Sequence, residues 1–517
     1  MLKLSLRPAN LLRNFASQAT ACPHAANSAD IEWKNAKPYS EIPSPGLGML
    51  FKFMPGGELY NTSILHMNQY FHKNFGNIAR MRGMFGAQDV VMIYDPQDFA
   101  TVFRKEGQWP QRKALEGMDY YREKLRRDVY KKNGLLGNDG PQWQEFRSVV
   151  NPVLMQPKTV ELYVNRIDEV TRELVEIIRE ARDEKDETPA DFGHYMERWS
   201  LESMGTIALD TRLGVLEKSK NNKGDRLAYL MESMFELSFE LEAKPSLWRI
   251  IKTPKFAKLM RMFDEVTNIT LSYVQEAIKR IENEKEPKPV EQQGVLEKLL
   301  RIDRDIATVM SMDMLAVGVD TTSSTAKSLL YLLATNPVRQ EKLRKEILSI
   351  LPTKDTLLTP EKMRSLPYLR ACMKEAHRIL PVIAGTVRGT QQDLVLQGYQ
   401  IPKGTWIVMA GGILTDNEEN FSKPREFIPE RWLKDDSHKA EGVKHAKEAH
   451  PFIYLPFGFG PRMCVGRRFA ELEIETFIIR FLREFEVSWK YPEPKMRSTF
   501  INSLTGDLKF TMKELDY

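Results

Sequence analysis

One cysteine of this chain stands in a loop that could present its sulphur to a bound ligand. The loop is the glycine-rich segment 457–468, which reads FGFGPRMCVGRR and contains Cys464. Glycine lets a backbone approach a flat ligand closely, and a helical pattern begins directly after the cysteine. The positive end of such a helix favours a thiolate, and Arg462 adds a cation suited to an anionic ligand. From the chemistry alone, a buried structural cysteine is the alternative.

An acid and an alcohol, Asp320 and Thr321, are adjacent within an apolar segment of helical periodicity, 305–335. A buried carboxylate is costly unless it is paired or used, and a threonine inside a helix often bonds the carbonyl one turn back. The pair is therefore either a hydrogen-bonded part of the core or a device that moves protons during a reaction.

Three apolar residues, Met310, Met314 and Val317, share one face of this segment with Thr321. Ordinary core packing would explain such a stripe. If a ligand lies against it, the stripe becomes the wall of an apolar, adaptable pocket, which suits a lipophilic molecule.

Two further pairs have helical spacing. Glu375 and Arg378 are three residues apart, and Trp143 and Arg147 are four apart, so each pair lies on one face of its helix. On a surface, the first pair would be an ion pair of little energetic value. The second would be a packed ring beside an ordinary surface charge.

Hydrophobic periodicity predicts a mainly α-helical chain with a minor β-sheet region. No linker rich in proline, glycine or serine divides the 517 residues, so we expect one large domain over 30–517. Short β-like runs occur at 90–94 and 393–409. Long amphipathic helices are predicted at 142–150, 158–182, 191–208, 224–240, 256–283, 305–335 and 338–350.

The composition argues against several functional classes. The net charge of +5 is small for this length, and no nucleic-acid-binding motif is found. The three cysteines, Cys22, Cys372 and Cys464, cannot form a disulfide framework, and no two have zinc-site spacing. A reducing compartment fits this cysteine usage.

The first 29 residues contain no acidic residue and intersperse Lys3, Arg7 and Arg13 with leucines. This basic, amphipathic composition is typical of a mitochondrial transit peptide, with a matrix-protease site predicted after Phe15. The apolar runs are far too short to span a bilayer. A disordered basic tail is the alternative.

The segment 457–468 resembles the haem-binding loop of the cytochrome P-450 superfamily. The family spaces Phe, Gly, Arg, Cys and Gly as this chain spaces Phe457, Gly460, Arg462, Cys464 and Gly466. Three further motifs agree in order and distance, so the resemblance covers essentially everything after residue 29. It implies the cytochrome P-450 fold, haem as the cofactor and Cys464 as the thiolate ligand of the iron, with Phe457 in the cofactor-binding loop.

The resemblance also implies roles for two other sets of residues. One set is a structural network behind the haem loop, comprising Glu375, Arg378 and Arg431. The other set holds the haem propionates and comprises Trp143, Arg147, Arg388 and Arg462. Arginine suits the second task because a guanidinium can donate two parallel hydrogen bonds to a carboxylate.

By the same resemblance, the helix at 305–335 activates oxygen. Thr321 would hydrogen-bond the oxygen, Asp320 would relay protons from solvent, and Gly318 would leave room for dioxygen and water. Val317 departs from the family, which usually has a small residue there, so it would narrow the pocket or shift the substrate preference. The expected pocket residues are Met310, Met314, Val317, Val382, Ile383 and Leu504.

Basic residues on the side of the cysteine loop resemble those with which mitochondrial members of the family bind an acidic ferredoxin. They are Arg370, Lys374, Arg467 and Arg468. The implied partners are an adrenodoxin-type ferredoxin with its NADPH-dependent reductase, O2 and a lipophilic substrate. A merely solvated basic surface is the alternative.

The segment 245–258 mixes Trp248, leucine and isoleucine with basic residues, which suits peripheral contact with a membrane. A contact within the domain would have the same composition. Together with the transit peptide, this segment predicts peripheral attachment to the matrix side of the mitochondrial inner membrane.

The whole pattern resembles insect mitochondrial members of the family, some of which handle xenobiotics and others ecdysteroid precursors. The leading hypothesis is a ferredoxin-dependent monooxygenase that hydroxylates a lipophilic molecule. A haem-thiolate isomerase or dehydratase would need no external electrons, and Asp320, Thr321 and the basic residues argue against it. A non-catalytic haem sensor or carrier, or a protein without haem, completes the alternatives.

Overall fold

The computed structural model describes residues 30–112, 115–216, 223–284, 286 and 288–515. The predicted transit peptide, with its cleavage site, lies outside the described residues. Helices dominate the described chain and small sheets contain its strands, so the predicted mainly α class with a minor β region is confirmed.

The helices agree with the hydrophobic pattern in position, although one predicted helix is split. The α-helices are α1 (Met49–Phe53), α2 (Ile64–Phe75), α3 (Pro96–Arg104), α4 (Glu116–Tyr120), α5 (Gly134–Gly137), α6 (Gly140–Leu154), α7 (Pro157–Glu161), α8 (Val164–Ala181), α9 (Phe192–Leu209), α10 (Lys223–Glu242), α11 (Pro254–Glu282), α12 (Val295–Leu300), α13 (Arg304–Ala334), α14 (Pro337–Ile350), α15 (Pro360–Arg364), α16 (Pro367–Ile379), α17 (Ser437–Ala440) and α18 (Arg467–Glu484). The helix predicted at 158–182 breaks at 162–163. There the Tyr163 hydroxyl donates to Asp210 (3.0 Å) and accepts from the N–H of Val295 (2.8 Å).

The strands pair segments that are far apart in sequence. They are β1 (Ile78–Met81), β2 (Val90–Ile93), β3 (Thr386–Gly389), β4 (Leu394–Leu396), β5 (Tyr399–Ile401), β6 (Trp406–Met409), β7 (Phe485–Ser488), β8 (Lys495–Ser498), β9 (Asn502–Thr505) and β10 (Thr511–Glu514). The largest sheet has the order β1-β2-β6-β3, in which β2 and β6 are parallel and Val91 lies opposite Ile407. The other strands form the antiparallel pairs β4-β5, β8-β9 and β7-β10.

Helix α13 runs through the centre of the fold. Its sequence is apolar around most of its circumference, and it packs against α9, α11 and α18. Asp303 caps its first turn by accepting from the N–H of Ile306 (2.9 Å). Helix α18 begins at Arg467, three residues after Cys464. The two helices therefore bring the acid–alcohol pair and the cysteine loop into one region.

A buried acid lies where α18 meets α9 and α13. Glu473 is fully buried, and neither of its carboxylate oxygens has a hydrogen-bond partner among the described residues. The hydroxyl of neighbouring Ser200 donates to the carbonyl of Val319 instead (3.1 Å). Burial raises the pKa of Glu473 well above its ordinary value, so folding favours the protonated form of this group.

Glu473→Gln is expected to change how the stability depends on pH. Because the folded state binds this proton more tightly, the free energy of unfolding falls as the pH rises above the pKa of the unfolded chain. Glutamine removes this dependence, so between about pH 5.5 and 7.5 the variant should gain stability relative to the wild type, by at most roughly 1.36 kcal/mol per pH unit. Urea unfolding at both pH values measures the effect. Glu486→Gln, at an exposed position, is the control, and equal pH dependence in Glu473→Gln and the wild type would contradict the prediction.

Candidate functional site

A cavity of about 440 Å³ is lined both by α13 and by the cysteine loop. The α13 residues in its wall are Met310, Asp313, Met314, Val317, Gly318, Thr321, Thr322 and Thr325. The loop and the start of α18 contribute Phe457, Gly458, Arg462, Met463, Cys464, Val465 and Phe469. Thr321 and Cys464 therefore face the same, mainly apolar space.

The thiol of Cys464 is free and open to this cavity. Protein surrounds the sulphur, and this burial raises the pKa of the Cys464 thiol, whereas the N–H of Gly466 and the charges of Arg147 and Arg112 lower it. The start of α18 adds the positive end of a helix. Burial therefore favours the neutral thiol, whereas the Gly466 N–H, the two arginines and the start of α18 favour the thiolate form that a metal ion would bind.

The two glycines before Cys464 allow the loop to pack closely against neighbouring residues. Gly458 and Gly460 have φ values of +72° and +70°, which residues with side chains rarely adopt. A Cβ atom on Gly460 would lie 2.7 Å from Oε1 of Glu106. The other oxygen of Glu106 accepts from Nε of Arg388 (2.7 Å), and Nη2 of Arg388 donates to the carbonyl of Phe459 (3.2 Å). The loop is thereby tied to β3.

Four arginines line the cavity: Arg112, Arg147, Arg388 and Arg462. Three of them are predicted propionate ligands, whereas Arg112 carries no motif that marks it. Among the described residues, the carboxylates that interact with these guanidinium groups are Glu106 and Asp139. Four cations against two anions leave a buried surplus of two positive charges. A ligand with two carboxylates would neutralise it.

Arg462 is largely occupied by the protein itself. Its guanidinium donates to the carbonyls of Pro110 (2.9 Å) and Asn138 (2.8 Å) and to the carboxylate of Asp139. It lies 4.2 Å from the centre of the Trp143 ring. Burial lowers the pKa of Arg462 to about 9. The ring of Trp143 therefore packs against the guanidinium group of Arg462.

Arg147 keeps more of its donors free. Its Nη2 donates to the carbonyl of Met463 (2.9 Å), while Nε has no hydrogen-bond partner among the described residues. Burial lowers the pKa of Arg147 to about 10. A buried, incompletely satisfied guanidinium that is hydrogen-bonded to the residue before Cys464 is suited to an anionic ligand.

Taken together, these residues fit haem. Its two propionates match the surplus of two charges, the free Cys464 thiol can ligate the iron, and the apolar wall suits the macrocycle.

Thr321 faces the cavity from the middle of α13. Its hydroxyl donates to the carbonyl of Val317 (3.3 Å), which leaves its oxygen free to accept a hydrogen bond. The space beside Gly318 is already used, because a Cβ atom there would lie 2.5 Å from Cε of Met204. Room for dioxygen at Gly318 therefore depends on movement of the flexible Met204 side chain.

Asp320 lies behind this wall. It is buried and does not line the cavity, and its Oδ2 has no hydrogen-bond partner among the described residues. Burial raises the pKa of Asp320 to about 6, the charge of Lys327 opposes this, and Glu197 and Glu236 add to it. Asp320 and Thr321 are adjacent in sequence, but their side chains therefore lie in different surroundings.

Most, but not all, of the predicted pocket residues reach the cavity. Those in its wall are Met310, Met314, Val317, Val382 and Ile383. Leu504 is buried in the hydrophobic core and does not line the cavity. The sequence also gave no sign of an ion pair between Arg122 and Asp313 (2.5 Å), in which Asp313 contributes to the wall.

Glu375 holds a buried network at the end of α16. Its carboxylate accepts from Arg378 (2.8 and 3.0 Å), from Nε of Arg431 (2.9 Å) and from the indole N–H of Trp432 (2.8 Å). The side chains of Glu375, Arg378 and Arg431 are 0% exposed. The network ties α16 to the turn Pro429–Trp432, and Trp432 is a member that the motif did not reveal.

Three of the four basic residues predicted to meet a redox partner are exposed: Lys374, Arg467 and Arg468. Arg370 is half-buried and donates to Glu475 (3.1 Å) and to the carbonyl of Met363 (2.6 Å), and Arg467 likewise pairs with Glu471 (2.8 Å). The positive charge of Arg370 is therefore paired with a carboxylate of the protein itself.

The segment 245–258 exposes aliphatic residues rather than its tryptophan. Trp248 is buried, its indole donates to the carbonyl of Leu241 (2.9 Å), and its ring stacks on Phe256. Leu247, Ile250 and Ile251 are exposed. Within the described part of the chain, no helix is both long and apolar enough to cross a membrane.

Comparison with known proteins agrees with this geometry. The family model "Cytochrome P450" matches residues 43–513. Among curated proteins, "Probable cytochrome P450 12a5, mitochondrial" of Drosophila melanogaster is 43% identical over 96% of this chain and 95% of its own length. "Cytochrome P450 CYP12A2" of Musca domestica is 43% identical over 95% of this chain and 93% of its own length. The crystal structure of the cytochrome P450DA heme domain shares the fold, with a TM-score of 0.71 at 20% identity over 93% of this chain and 98% of that one.

The fold and the cavity define a helical protein built around a flat, dianionic cofactor and a free thiol. The chain belongs to the cytochrome P-450 family. It is therefore a monooxygenase with haem-thiolate chemistry, and the family and fold expected from the cysteine loop are confirmed.

Proposed function

We propose that this protein is a mitochondrial monooxygenase that inserts one oxygen atom of O2 into a lipophilic substrate. The other oxygen atom is reduced to water, which requires two electrons from a ferredoxin and two protons from solvent. The observation that carries the proposal is the free Cys464 thiol in the wall that Thr321 also lines. The haem bound in this cavity supplies the oxygen chemistry.

Cys464 is the proposed ligand of the haem iron, in the loop that Phe457 begins. The residues proposed to hold the propionates are Arg147, Arg388 and Arg462, with Trp143 beneath Arg462. Arg112 joins this set. The support for these assignments is the buried surplus of two positive charges beside the free thiol.

Thr321 and Asp320 are the proposed groups for proton delivery. Thr321 presents a hydroxyl oxygen to the cavity, and Asp320, with a pKa of about 6, can release and regain a proton near neutral pH. An isomerase or dehydratase needs no such supply, so the pair favours the monooxygenase.

The proposed substrate is a lipophilic molecule, either a xenobiotic or steroid-like. Met310, Met314 and Val382 give the cavity an adaptable apolar wall. Val317 adds a branched side chain where a smaller residue would leave more room.

The proposed electron donor is an adrenodoxin-type mitochondrial ferredoxin, kept reduced by its NADPH-dependent reductase. Lys374, Arg467 and Arg468 offer exposed positive charge to its acidic surface. The basic, acid-free segment 1–29 and the name of the mitochondrial relative from Drosophila melanogaster support this compartment. The exposed aliphatic residues at 247–251 support peripheral attachment to the matrix side of the inner membrane.

Reduction under carbon monoxide tests the proposal. The purified protein receives NADPH with either a mitochondrial ferredoxin and its reductase or the microsomal flavin reductase. We expect a red-shifted, thiolate-type Soret band with the ferredoxin pair only, formed more slowly at high salt because screening weakens the charge attraction.

Each of the other outcomes would contradict a different part of the proposed function. A band with the flavin reductase only would overturn the mitochondrial partner. A band on chemical reduction only would favour the isomerase or dehydratase class, and no band at all would overturn the ligand assignment.

A further inference from the structure

Asp320 is unusual among the buried charges of this protein. It is 5% exposed, its Oδ2 has no hydrogen-bond partner among the described residues, and it lies outside the cavity wall. If it relays protons to Thr321, something behind the wall must connect it to solvent. Among the described residues, Lys327, Glu197 and His194 form one such set of groups.

Lys327 follows Asp320 by two turns on the same side of α13. Seven residues rotate a helix by about 700°, so the two side chains leave the axis within roughly 20° of each other, about 10 Å apart along it. Lys327 is buried, as are Ser323 and Ser324 between them. These four polar residues form a stripe on one face of α13, and none of them lines the cavity, whereas Thr321, Thr322 and Thr325 do line it.

Two residues of α9 connect this stripe to the protein surface. Nζ of Lys327 lies 3.6 Å from Oε1 of Glu197, and Oε2 of Glu197 lies 3.3 Å from Nδ1 of His194. The His194 side chain is 66% exposed. Groups that can exchange protons therefore lead from water to the region of Asp320.

Charges from three elements surround Asp320. Burial raises the pKa of Asp320 to about 6, Lys327 on α13 lowers it, and Glu197 on α9 and Glu236 on α10 raise it. Arg497 on β8 lies 3.5 Å from Glu236 and offsets part of that charge. In turn, the hydrogen bond to Glu197 raises the pKa of His194 above its ordinary value.

Packing alone does not account for Lys327. A buried ammonium costs desolvation energy, and an apolar side chain of the same length would fill the space without that cost. Its contact with Glu197, at 3.6 Å, is longer than a good charged hydrogen bond, for which about 2.7–2.9 Å is usual. The residue therefore needs a reason beyond stability.

We propose that Lys327, Glu197 and His194 are the proton supply route of Asp320, in which Lys327 is a positioning residue for the Asp320 carboxylate. This inference rests on the proposed monooxygenase function. When Asp320 gives up a proton toward Thr321, the ammonium stabilises the carboxylate that remains, and a proton returns from water through His194 and Glu197. The proton count is unchanged, because each proton delivered is replaced by one from solvent.

The test is a titration of Asp320 in two charge variants. Difference infrared spectra of the ferric holoprotein follow the carboxylic C=O band that disappears in Asp320→Asn, as a function of pH. Lys327→Met should move the midpoint up by about one unit, a tenfold change in the protonation ratio. Glu197→Gln should move it down, and Lys327→Arg should restore it.

This measurement needs neither ferredoxin nor substrate, so its outcome is independent of the proposed function. Shifts of opposite sign in Lys327→Met and Glu197→Gln would support the positioning role, which a packing role would not produce. An unchanged midpoint, or shifts in the same direction, would overturn it. If one variant fails to fold, the sign of the other still decides.

Turnover tests the route itself. With the ferredoxin pair, NADPH consumption in H2O and D2O should show a larger solvent isotope effect in Lys327→Met than in the wild type, because proton supply becomes slower. A shifted midpoint with an unchanged isotope effect would overturn the route and leave only the positioning role.

Discussion

The Cys464→Ala variant is expected to lose the thiolate-type carbon monoxide band completely, and its hydroxylation should fall to background. Alanine removes the thiol of Cys464, which among the described residues is the only thiol that lines the cavity. The four arginines and the apolar wall remain, so the propionates and the macrocycle keep their proposed contacts. We therefore expect reduced but measurable haem content. Haem extraction and carbon monoxide difference spectra on the same sample separate the loss of ligation from the loss of haem.

Cys372→Ala is the matched control. Cys372 is fully buried on α16, does not line the cavity, and burial holds the pKa of its thiol well above the ordinary value. This variant should keep both haem and the thiolate-type band. A thiolate-type band in Cys464→Ala, or its loss in Cys372→Ala alone, would contradict the assignment of the ligand.

The features that the sequence predicts well are local ones. The apolar periodicity of 305–335 matches α13 (Arg304–Ala334), because a helix in the protein core carries apolar residues on several of its faces. The order of Phe457, Gly460, Arg462 and Cys464 defines one loop whose residues are neighbours in the chain. Short-range spacing therefore suffices for these elements.

The features that the sequence misses depend on contacts between distant segments. Arg122 and Asp313 are 191 residues apart, and no local pattern marks either as a member of a pair. Arg112 joins the other cavity arginines only through the fold. Arg370 shares helical spacing with Lys374, but only the packing of α18 shows that Glu475 takes up its charge.

The expected role of Gly318 shows a related limit. The absence of a side chain predicts free space, yet the structure fills that space with Met204 from α9. Whether a glycine creates room for a ligand or for a neighbouring helix is decided by what packs against it. Leu504 shows the same limit, because its position in the hydrophobic core depends on the residues that pack against it.

Glu375→Gln is expected to lower the free energy of unfolding by about 3–5 kcal/mol, the usual cost of breaking a buried charge pair. Glutamine keeps the shape but leaves Arg378 and Arg431 buried without a counter-charge, and its amide donors face guanidinium donors. This loss is a large share of the roughly 5–15 kcal/mol that stabilises a typical protein. The urea midpoint of the holoprotein, followed by circular dichroism, measures it.

The control for this variant is Glu471→Gln, in which the same change breaks the exposed pair with Arg467 (2.8 Å) at a cost below about 1 kcal/mol. Equal midpoints for the two variants would contradict a structural role for Glu375. Because Glu375 does not line the cavity, the folded fraction of Glu375→Gln should keep the thiolate-type band that Cys464→Ala loses. The two variants thereby separate the residues proposed to stabilise the fold from the residue proposed to ligate the haem iron.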